Sequence, residues 1–333
     1  MIDVQLVLNL GIIGYRKHAG KLISFVEERS DSQIKFIFHP TKIIEDERFT
    51  NNFSDLLECD AIIISSPNDT HFEYIERTIE NFSGYILCEK PPVTKIEELK
   101  KLETLTDDQK KRIFFNFMFR HSKLNNLLKD ETLLEKIGKF IHIDLVMSKG
   151  LAFKSEYLDS WRSDGKNNLH NILDANTIHH IDLLSFHLGK IKKSFYIPSL
   201  ISKKGTSFDT SYVILTYEND LSVSIFNSYA TPLINELSII GENGHCVIRE
   251  GKLKIFSPRD TFDNEGLFIS PPKIHEEEFT IEDDIQDSLR NSLEFFILKA
   301  INKEEIPIEY FNTSISTNKI ILELKKFDRY LEK

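Results

Sequence analysis

The chain has 333 residues, which is enough for two domains with sizeable cores. Its 42 Lys and Arg residues against 52 Asp and Glu leave a net charge of −10, so no global positive field exists to hold DNA or an acidic membrane face. Hydrophobic residues make up 41% and charged residues 28%, a globular balance that argues against disorder and against a fibrous chain.

The cysteines and the N-terminal segment bear on the compartment. Cys59, Cys88 and Cys246 stand far apart without a C-x-x-C pair, which argues against a disulfide framework or a thiolate zinc site. The N-terminal segment lacks the features of a signal peptide, and no apolar run approaches the ~20 residues of a membrane span. We therefore predict a cytoplasmic protein that binds neither nucleic acid nor a membrane.

The first 120 residues alternate short apolar runs with helix-like stretches. The runs are LVLNLGII (6–13), IKFIFH (34–39), AIIISS (61–66), YILCEKPP (85–92) and RIFFNFMF (112–119). Continuous apolar strands indicate burial on both faces, and strands that alternate with helices are typical of βαβ units with a parallel sheet. The pattern predicts an α/β, doubly wound domain of the Rossmann kind over 1–120.

The rest of the chain has a different pattern. From about residue 139, strand-like runs follow one another through short turns, which predicts an antiparallel sheet. Helical stretches are predicted near 172–188, 283–302 and 313–331. We predict a second, α+β domain over 121–333, whose last helix can pack back on the first domain.

The turn after the first strand is the first candidate site, because ligands of open parallel sheets bind outside the carboxyl ends of the strands. Residues 14–19 fit the dinucleotide fingerprint G-x-G-x-x-G/A at Gly14 and Ala19, but Arg16 takes the middle position. Arg16 either swings away from a pyrophosphate or pairs with it. A plain strand–helix turn is the alternative.

The ends of the second and third strands do not decide between NAD and NADP. An NAD-preferring site usually offers Asp or Glu after the second strand, but His39 stands there. His39 or Lys42 can favour a 2′-phosphate, so NAD and NADP are equally expected. After the third strand, Asn68 or Asp69 can cap the next helix, and contact of this loop with a cofactor is the alternative.

The fourth strand runs into Glu89-Lys90-Pro91-Pro92, which holds Lys90 in extended geometry at the mouth of the sheet. Beside a positively charged nicotinamide, an ammonium would have a lowered pKa and could help deprotonate a substrate hydroxyl. Read alone, the tetrapeptide is better explained by a solvated surface lysine.

Together these motifs resemble the Gfo/Idh/MocA family of NAD(P)-dependent sugar and polyol oxidoreductases over nearly the whole chain. The matching stretches are GIIG (11–14), SSPNDTH (65–71), CEKPP (88–92), FNFMFR (115–120), IGKF (137–140), WRSD (161–164), HHIDLLSFHLG (179–189) and IIGENG (239–244). The resemblance implies a Rossmann domain and a second domain with a large open-faced, mostly antiparallel sheet, which commonly forms homodimers or homotetramers.

The resemblance also implies where the cofactor lies. NAD or NADP would lie across the glycine turn and the S-P-N loop, residues 66–68. The residues expected to bind it are Gly14, Tyr15, Arg16, His39, Ser66, Pro67, Asn68, His71, Glu89 and Lys90. Substrate would be held between the domains.

Lys90 would be the catalytic lysine and His179 the catalytic histidine, with Asp182 orienting its imidazole. The family often has an Asp four residues before this histidine, but Ala175 stands here. Asn176 stands four residues before His180, so an alternative register pairs a polar side chain with His180 in place of Ala175 with His179.

The remaining candidates concern substrate and metal. Trp161 and Arg162 are expected at the substrate, Arg162 pairing with a carboxylate or phosphate, while Arg120 either joins them or closes a structural ion pair. Tyr157 and Asn227 are expected to be core or sheet residues. No metal is expected, because His180 and His187 are seven residues apart and coordinate one ion poorly.

The sequence therefore predicts an oxidoreductase that moves hydride between nicotinamide and a carbinol carbon of a sugar, polyol or nucleotide-linked sugar. The alternative is a non-catalytic binding or regulatory protein that keeps the fold. Arg16, His39 and Ala175, each a departure from the family pattern, favour that alternative.

Overall fold

The structure is a computed structural model that describes residues 7–42, 45–281 and 284–327. It divides into two compact units. The first comprises Met1–Met118 and Leu289–Leu322, and the second comprises Phe119–Ser288 and Glu323–Lys333. The domain limits of 1–120 and 121–333 remain predictions about independently folding pieces.

The first unit contains a six-stranded sheet in the order β3-β2-β1-β4-β5-β6, with every neighbouring pair parallel. Its strands are β1 (Leu8–Ile13), β2 (Ser32–Phe38), β3 (Phe49–Thr50), β4 (Ala61–Ile64), β5 (Tyr85–Cys88) and β6 (Ile113–Phe115). The helices between them are α1 (Lys17–Glu27), α2 (His71–Ile79), α3 (Ile96–Glu103) and α4 (Asp107–Lys110). Every residue of β4 is buried, as expected for a strand covered on both faces.

A helix from the far end of the chain completes the core of this unit. Helix α8 (Asp284–Ile301) contributes Leu293, Phe296 and Ile297 to the cluster of buried residues around β1 and β2. The ring of Phe296 stacks on that of Phe114 in β6, with centroids 6.1 Å apart. Helix α9 (Ile308–Phe327) follows, and the last residues of the predicted 313–331 helix lie outside the described residues.

The second unit is built on an eight-stranded sheet in the order β14-β13-β12-β11-β7-β10-β9-β8, in which only β7 and β10 are parallel neighbours. The strands are β7 (Phe140–Ser148), β8 (Ile191–Ser199), β9 (Thr210–Tyr217), β10 (Ser222–Ser228), β11 (Ile234–Gly241), β12 (His245–Arg249), β13 (Lys252–Phe256) and β14 (Lys273–Glu278). The helices are α5 (Lys123–Leu128), α6 (Glu131–Ile137) and α7 (Ile178–Leu188).

The two faces of this sheet differ in burial. Leu145, Val213 and Ile225 lie on one face and are buried, whereas Phe195 and Ile197 point from the other face and are about half exposed. Alternating burial is typical of a sheet with one open face. The predicted fold class, a Rossmann sheet plus a large, open-faced, mostly antiparallel sheet, is confirmed.

The part of the chain that the structure describes contains no helix with both the length and the apolar character needed to cross a membrane.

We expect Phe296→Ala to destabilise the first unit by about 3–5 kcal/mol, because it leaves a cavity against β6. Leu298→Ala, on the exposed side of the same helix, is the control and should cost under about 1 kcal/mol. Urea unfolding checks both variants. Equal effects would contradict the placement of α8 in the core.

Candidate active site

The glycine turn of the first unit packs directly on the loop that follows β4. Gly14 has a φ of +109°, and a Cβ added there would stand 2.5 Å from the carbonyl oxygen of Ser65. Only glycine fits both the backbone angle and the close approach. The turn after β1 and the S-P-N loop therefore form one continuous rim at the carboxyl end of the sheet.

The two residues after Gly14 are exposed on this rim. The ring of Tyr15 packs edge-on against Phe49, and the ammonium of Lys42 lies 5.5 Å from its centroid. Arg16 takes the N-cap position of α1, where its side chain makes no capping hydrogen bond. A guanidinium in front of a helix N-terminus adds positive charge where a pyrophosphate would bind.

His39 holds the loop after β2. Its Nδ1 accepts hydrogen bonds from the backbone N–H groups of Thr41 (3.3 Å) and Lys42 (3.0 Å). Burial, then Lys42 and Arg16, lower the pKa of His39, so the imidazole is neutral and carries its proton on Nε2. The end of β2 thus offers two cations and an imidazole N–H, which suit a 2′-phosphate and still permit ribose hydroxyls.

In the S-P-N loop, the side chain of Asn68 is available to a ligand. The Oγ1 of Thr70 lies 2.7 Å from Ser66 Oγ and from Pro67 O. Asn68 is half-buried, and its side chain neither caps α2 nor makes a hydrogen bond within the described chain. Of the two readings of Asn68, the structure therefore disfavours the cap.

His71 acts as a brace beneath this loop. It is fully buried, with Nδ1 2.8 Å from the carbonyl oxygen of Pro91 and Nε2 3.1 Å from that of Ser66. Burial lowers its pKa, so the neutral ring donates one hydrogen bond at a time. His71 therefore ties the S-P-N loop to the E-K-P-P segment, and its direct contact with a cofactor stays a prediction.

A buried carboxylate anchors that segment. Glu89 Oε1 lies 2.7 Å from His18 Nε2 and accepts a 2.7 Å hydrogen bond from Asn116 Nδ2. Burial raises the pKa of Glu89, but His18, Asn116 and Lys90 outweigh it and bring the pKa down to about 2. Glu89 is therefore ionised, and its charge is balanced within the site.

His18 is a residue that the sequence reasoning missed. The charge of Glu89 raises its pKa against the opposing effects of burial and Lys90. The sequence feature that could have identified His18 is its position in the first turn of α1, beside the phosphate-binding fingerprint. Lys90 is half-buried and affects the pKa values of His18, Glu89 and His71, so its ammonium lies within electrostatic reach of all three.

In the second unit, Arg120 and Asp182 pair with each other. The Nε and Nη2 of Arg120 donate to the two carboxylate oxygens of Asp182 at 2.7 and 2.5 Å, and both side chains are almost fully buried. This buried pair supports the structural alternative for Arg120. The expected role of Asp182 towards an imidazole stays a prediction.

The two adjacent histidines of α7 are both buried. Both pack on the ring of Phe119, at 5.2 Å between centroids. Burial lowers the pKa of His180 to about 4, so its imidazole stays neutral in the neutral pH range. His180 thus fits an internal, uncharged position, and the choice between the two histidines as acid or base stays a prediction.

A π-helical turn, Leu173–Thr177, immediately precedes α7. A π turn holds one extra residue and aligns residue i with residue i+5 instead of i+4. The α-helical spacing that relates Ala175 to His179 therefore does not hold across this turn, and Asp174 is the residue five positions before His179. Asp174 is buried and accepts hydrogen bonds from Asn168 Nδ2 (2.7 Å) and Lys325 Nζ (2.6 Å).

The remaining predicted residues lie on the surface of this unit. Trp161 is half exposed, and the guanidinium of Arg162 lies 4.5 Å from its ring centroid. Asn176 is half-buried, and its side chain makes no hydrogen bond in the described chain. Among the residues that the structure describes, no three His, Cys, Asp or Glu side chains are grouped to hold a metal ion.

We expect Glu89→Gln to lower the pKa of His18, because the carboxylate that raises it is removed. Linkage then fixes the pH dependence of stability. The His18 contribution is present below its unfolded pKa of 6.5 and is lost as pH rises through the higher folded value. The Glu89 contribution is present above 4.5 and is lost as pH falls towards about 2.

NMR titration of the His18 imidazole in the parent and in Glu89→Gln measures the shift. Glu73→Gln, which changes a carboxylate in the first turn of α2, is the control and should leave it unchanged. An unaltered His18 pKa in Glu89→Gln would contradict the pairing.

Comparison with known proteins relates both units to oxidoreductases. Residues 8–117 match the family described as "Oxidoreductase family, NAD-binding Rossmann fold", and residues 132–247 match the "GFO/IDH/MocA C-terminal domain". A glucose-6-phosphate 3-dehydrogenase of Bacillus subtilis is 24% identical over 161 residues, which are 48% of this chain and 45% of that protein. The matched region thus spans less than half of this relative.

Solved structures share the fold along nearly the whole chain. An oxidoreductase from Agrobacterium radiobacter, in complex with NAD+, L-tartaric acid and magnesium, has a TM-score of 0.76 at 16% identity and covers 96% of this chain and 95% of its own. Myo-inositol 2-dehydrogenase from Lactobacillus plantarum has a TM-score of 0.73 at 17% identity, with 97% and 98% covered. With both of its units matched, the chain belongs to the Gfo/Idh/MocA oxidoreductase family.

Proposed function

We propose that this chain is an NAD(P)-dependent oxidoreductase that transfers hydride between C4 of nicotinamide and a carbinol carbon of a sugar, polyol or nucleotide-linked sugar. The observation that carries the proposal is the anchoring of Glu89-Lys90 by His18 and Asn116, at the strand ends where Gly14 forms the glycine turn. The named relatives that act on inositol and glucose 6-phosphate support the substrate class.

The residues of the rim fit the cofactor chemically. Arg16 and the N-terminus of α1 would bind the pyrophosphate, Asn68 would offer its amide, and His39 with Lys42 would face the adenosine ribose. When bound, the nicotinamide accepts or returns a hydride at C4. We leave NAD and NADP as equal candidates.

Lys90 and His179 would handle the proton. In the oxidation direction, the substrate loses hydride from its carbon and a proton from its oxygen. Lys90 would hydrogen-bond that oxygen and stabilise the developing alkoxide, and His179 would receive the proton. Asp174 would act as a positioning residue, because a carboxylate beside an imidazole stabilises the imidazolium.

Two further proposals concern assembly and location. The open face of the large sheet carries Phe195, Ile197, Tyr212 and Phe226 on adjacent strands, which suits a homodimer or homotetramer interface. All three cysteines are free and buried, which fits a reducing cytoplasm.

Lys90→Ala should lower kcat by about 10²–10⁴-fold while NAD(P)H still binds, because the lysine acts on the substrate oxygen. The assay uses NAD+ and NADP+ with a panel of inositols, glucose and glucose 6-phosphate. Lys100→Ala, on the exposed face of α3, is the control. Parent-like turnover by Lys90→Ala would remove the assigned role, and absence of turnover by the parent would favour the non-catalytic alternative.

Asp174→Asn should lower kcat by about tenfold or more and move the acidic limb of the kcat/KM profile to lower pH, because the imidazolium loses its carboxylate. Asp220→Asn, which changes an exposed carboxylate of the same unit, is the control and should leave the profile in place. A purely structural role of Asp174 would lower the thermal midpoint without moving that limb.

A further inference from the structure

Two parallel strands of the second unit end side by side and begin a cluster of polar residues. Ser148 of β7 lies opposite Ser228 of β10 in the register. The backbone N–H of Lys149 donates to the carbonyl oxygen of Ser228 at 2.9 Å, and that of Ala152 donates to Tyr229 O at 2.8 Å. Lys149 and Tyr229 therefore follow the ends of two neighbouring parallel strands, on the same side of the sheet's end, which we call this edge.

Two buried phenol groups lie at this edge. Tyr157 and Tyr229 are 1% and 0% exposed, and their rings meet edge to face at 6.4 Å. The Tyr157 hydroxyl has no hydrogen-bond partner in the described chain, and the Tyr229 hydroxyl faces the Arg162 guanidinium. An unsatisfied buried hydroxyl is costly, so a bound group that accepts from both would stabilise the edge.

Two cations belong to the same cluster. Burial raises the pKa of Tyr229 and lowers that of Lys149, and Arg162 lowers both, so its guanidinium lies close to both groups. The backbone N–H of Lys149 bonds to Ser228, the residue before Tyr229, which brings Lys149 to the same strand ends. Neither Lys149 nor Arg162 forms an ion pair with any described residue. Stacking on Trp161 fixes the guanidinium. Two neighbouring cations without a counter-ion repel each other, and a bound anion would relieve that repulsion.

The nearest buried acid does not supply that counter-ion. The carboxylate of Asp209 raises the pKa of Tyr157. Its oxygens accept hydrogen bonds from the backbone N–H groups of Ile201 and Ser202 (2.9 Å each) and from Thr210 Oγ1 (3.0 Å). These bonds hold it against the chain.

We propose that Lys149, Arg162, Tyr157 and Tyr229 form an anion subsite that binds the carboxylate or phosphate group of the substrate. A guanidinium offers a planar pair of donors, an ammonium adds a point charge, and the two phenols donate to the remaining oxygens. This inference rests on the proposed function and narrows its substrate class to acidic or phosphorylated sugars and polyols.

Trp161 is the only tryptophan of the chain, so its fluorescence reports on this subsite directly. The full chain is titrated at constant ionic strength with inorganic phosphate, D-glucuronate and neutral D-glucose, and calorimetry gives the affinities of the variants. We expect saturable binding of phosphate, glucuronate or both, and none of glucose. Phosphate alone indicates a phosphorylated substrate, and glucuronate alone a carboxylic acid.

Arg162→Met and Lys149→Met should each weaken anion binding about tenfold or more, and Tyr229→Phe about threefold to tenfold. Lys166→Ala, an exposed lysine on the same loop, is the control and should bind as the parent does. No saturable binding, or an equal loss in Lys166→Ala, would overturn the subsite. Because the titration needs no cofactor, an oxidoreductase that lacks this subsite is distinguished from a chain that binds no nicotinamide.

Discussion

The buried charge of Glu89 is the constraint on which the candidate active site depends. A carboxylate removed from water is destabilising unless it is paired and hydrogen-bonded. Here His18 from the first turn of α1 and Asn116 from the end of β6 meet one oxygen, and Ser292 of α8 donates to Asn116 Oδ1 at 2.7 Å. One charge thus ties the glycine turn, the E-K-P-P segment and helix α8 together, and Lys90 is fixed as the next residue.

The second unit holds two kinds of polar group. The ion pair of Arg120 with Asp182 is buried and satisfied internally. The cluster after β7 and β10 is the opposite case, because Lys149 and Arg162 form no ion pair with a described residue and the Tyr157 hydroxyl has no hydrogen-bond partner among them. Buried polar groups of the first kind specify the fold, while those of the second kind indicate a ligand.

Local patterns predicted the fold and part of the site. Continuous apolar runs gave the parallel strands, and the positive φ of Gly14 explains the glycine of the fingerprint. The pairing of His18 with Glu89 could not be predicted from the sequence, because the two residues lie 71 positions apart and only the order of the strands in the sheet brings them together. The π turn was equally hidden, since one extra residue in a helix changes which side chains align without changing the composition. Asp174 therefore escaped an argument that assumed 3.6 residues per turn.

Titration of the chain with NADH and NADPH, followed by the fluorescence of the reduced nicotinamide, tests the central claim most directly. The account predicts saturable, submillimolar binding of at least one cofactor. It also predicts that Gly14→Ala abolishes this binding, because the added Cβ would meet the carbonyl oxygen of Ser65. Failure of both cofactors to bind, or parent-like binding by Gly14→Ala, would contradict it.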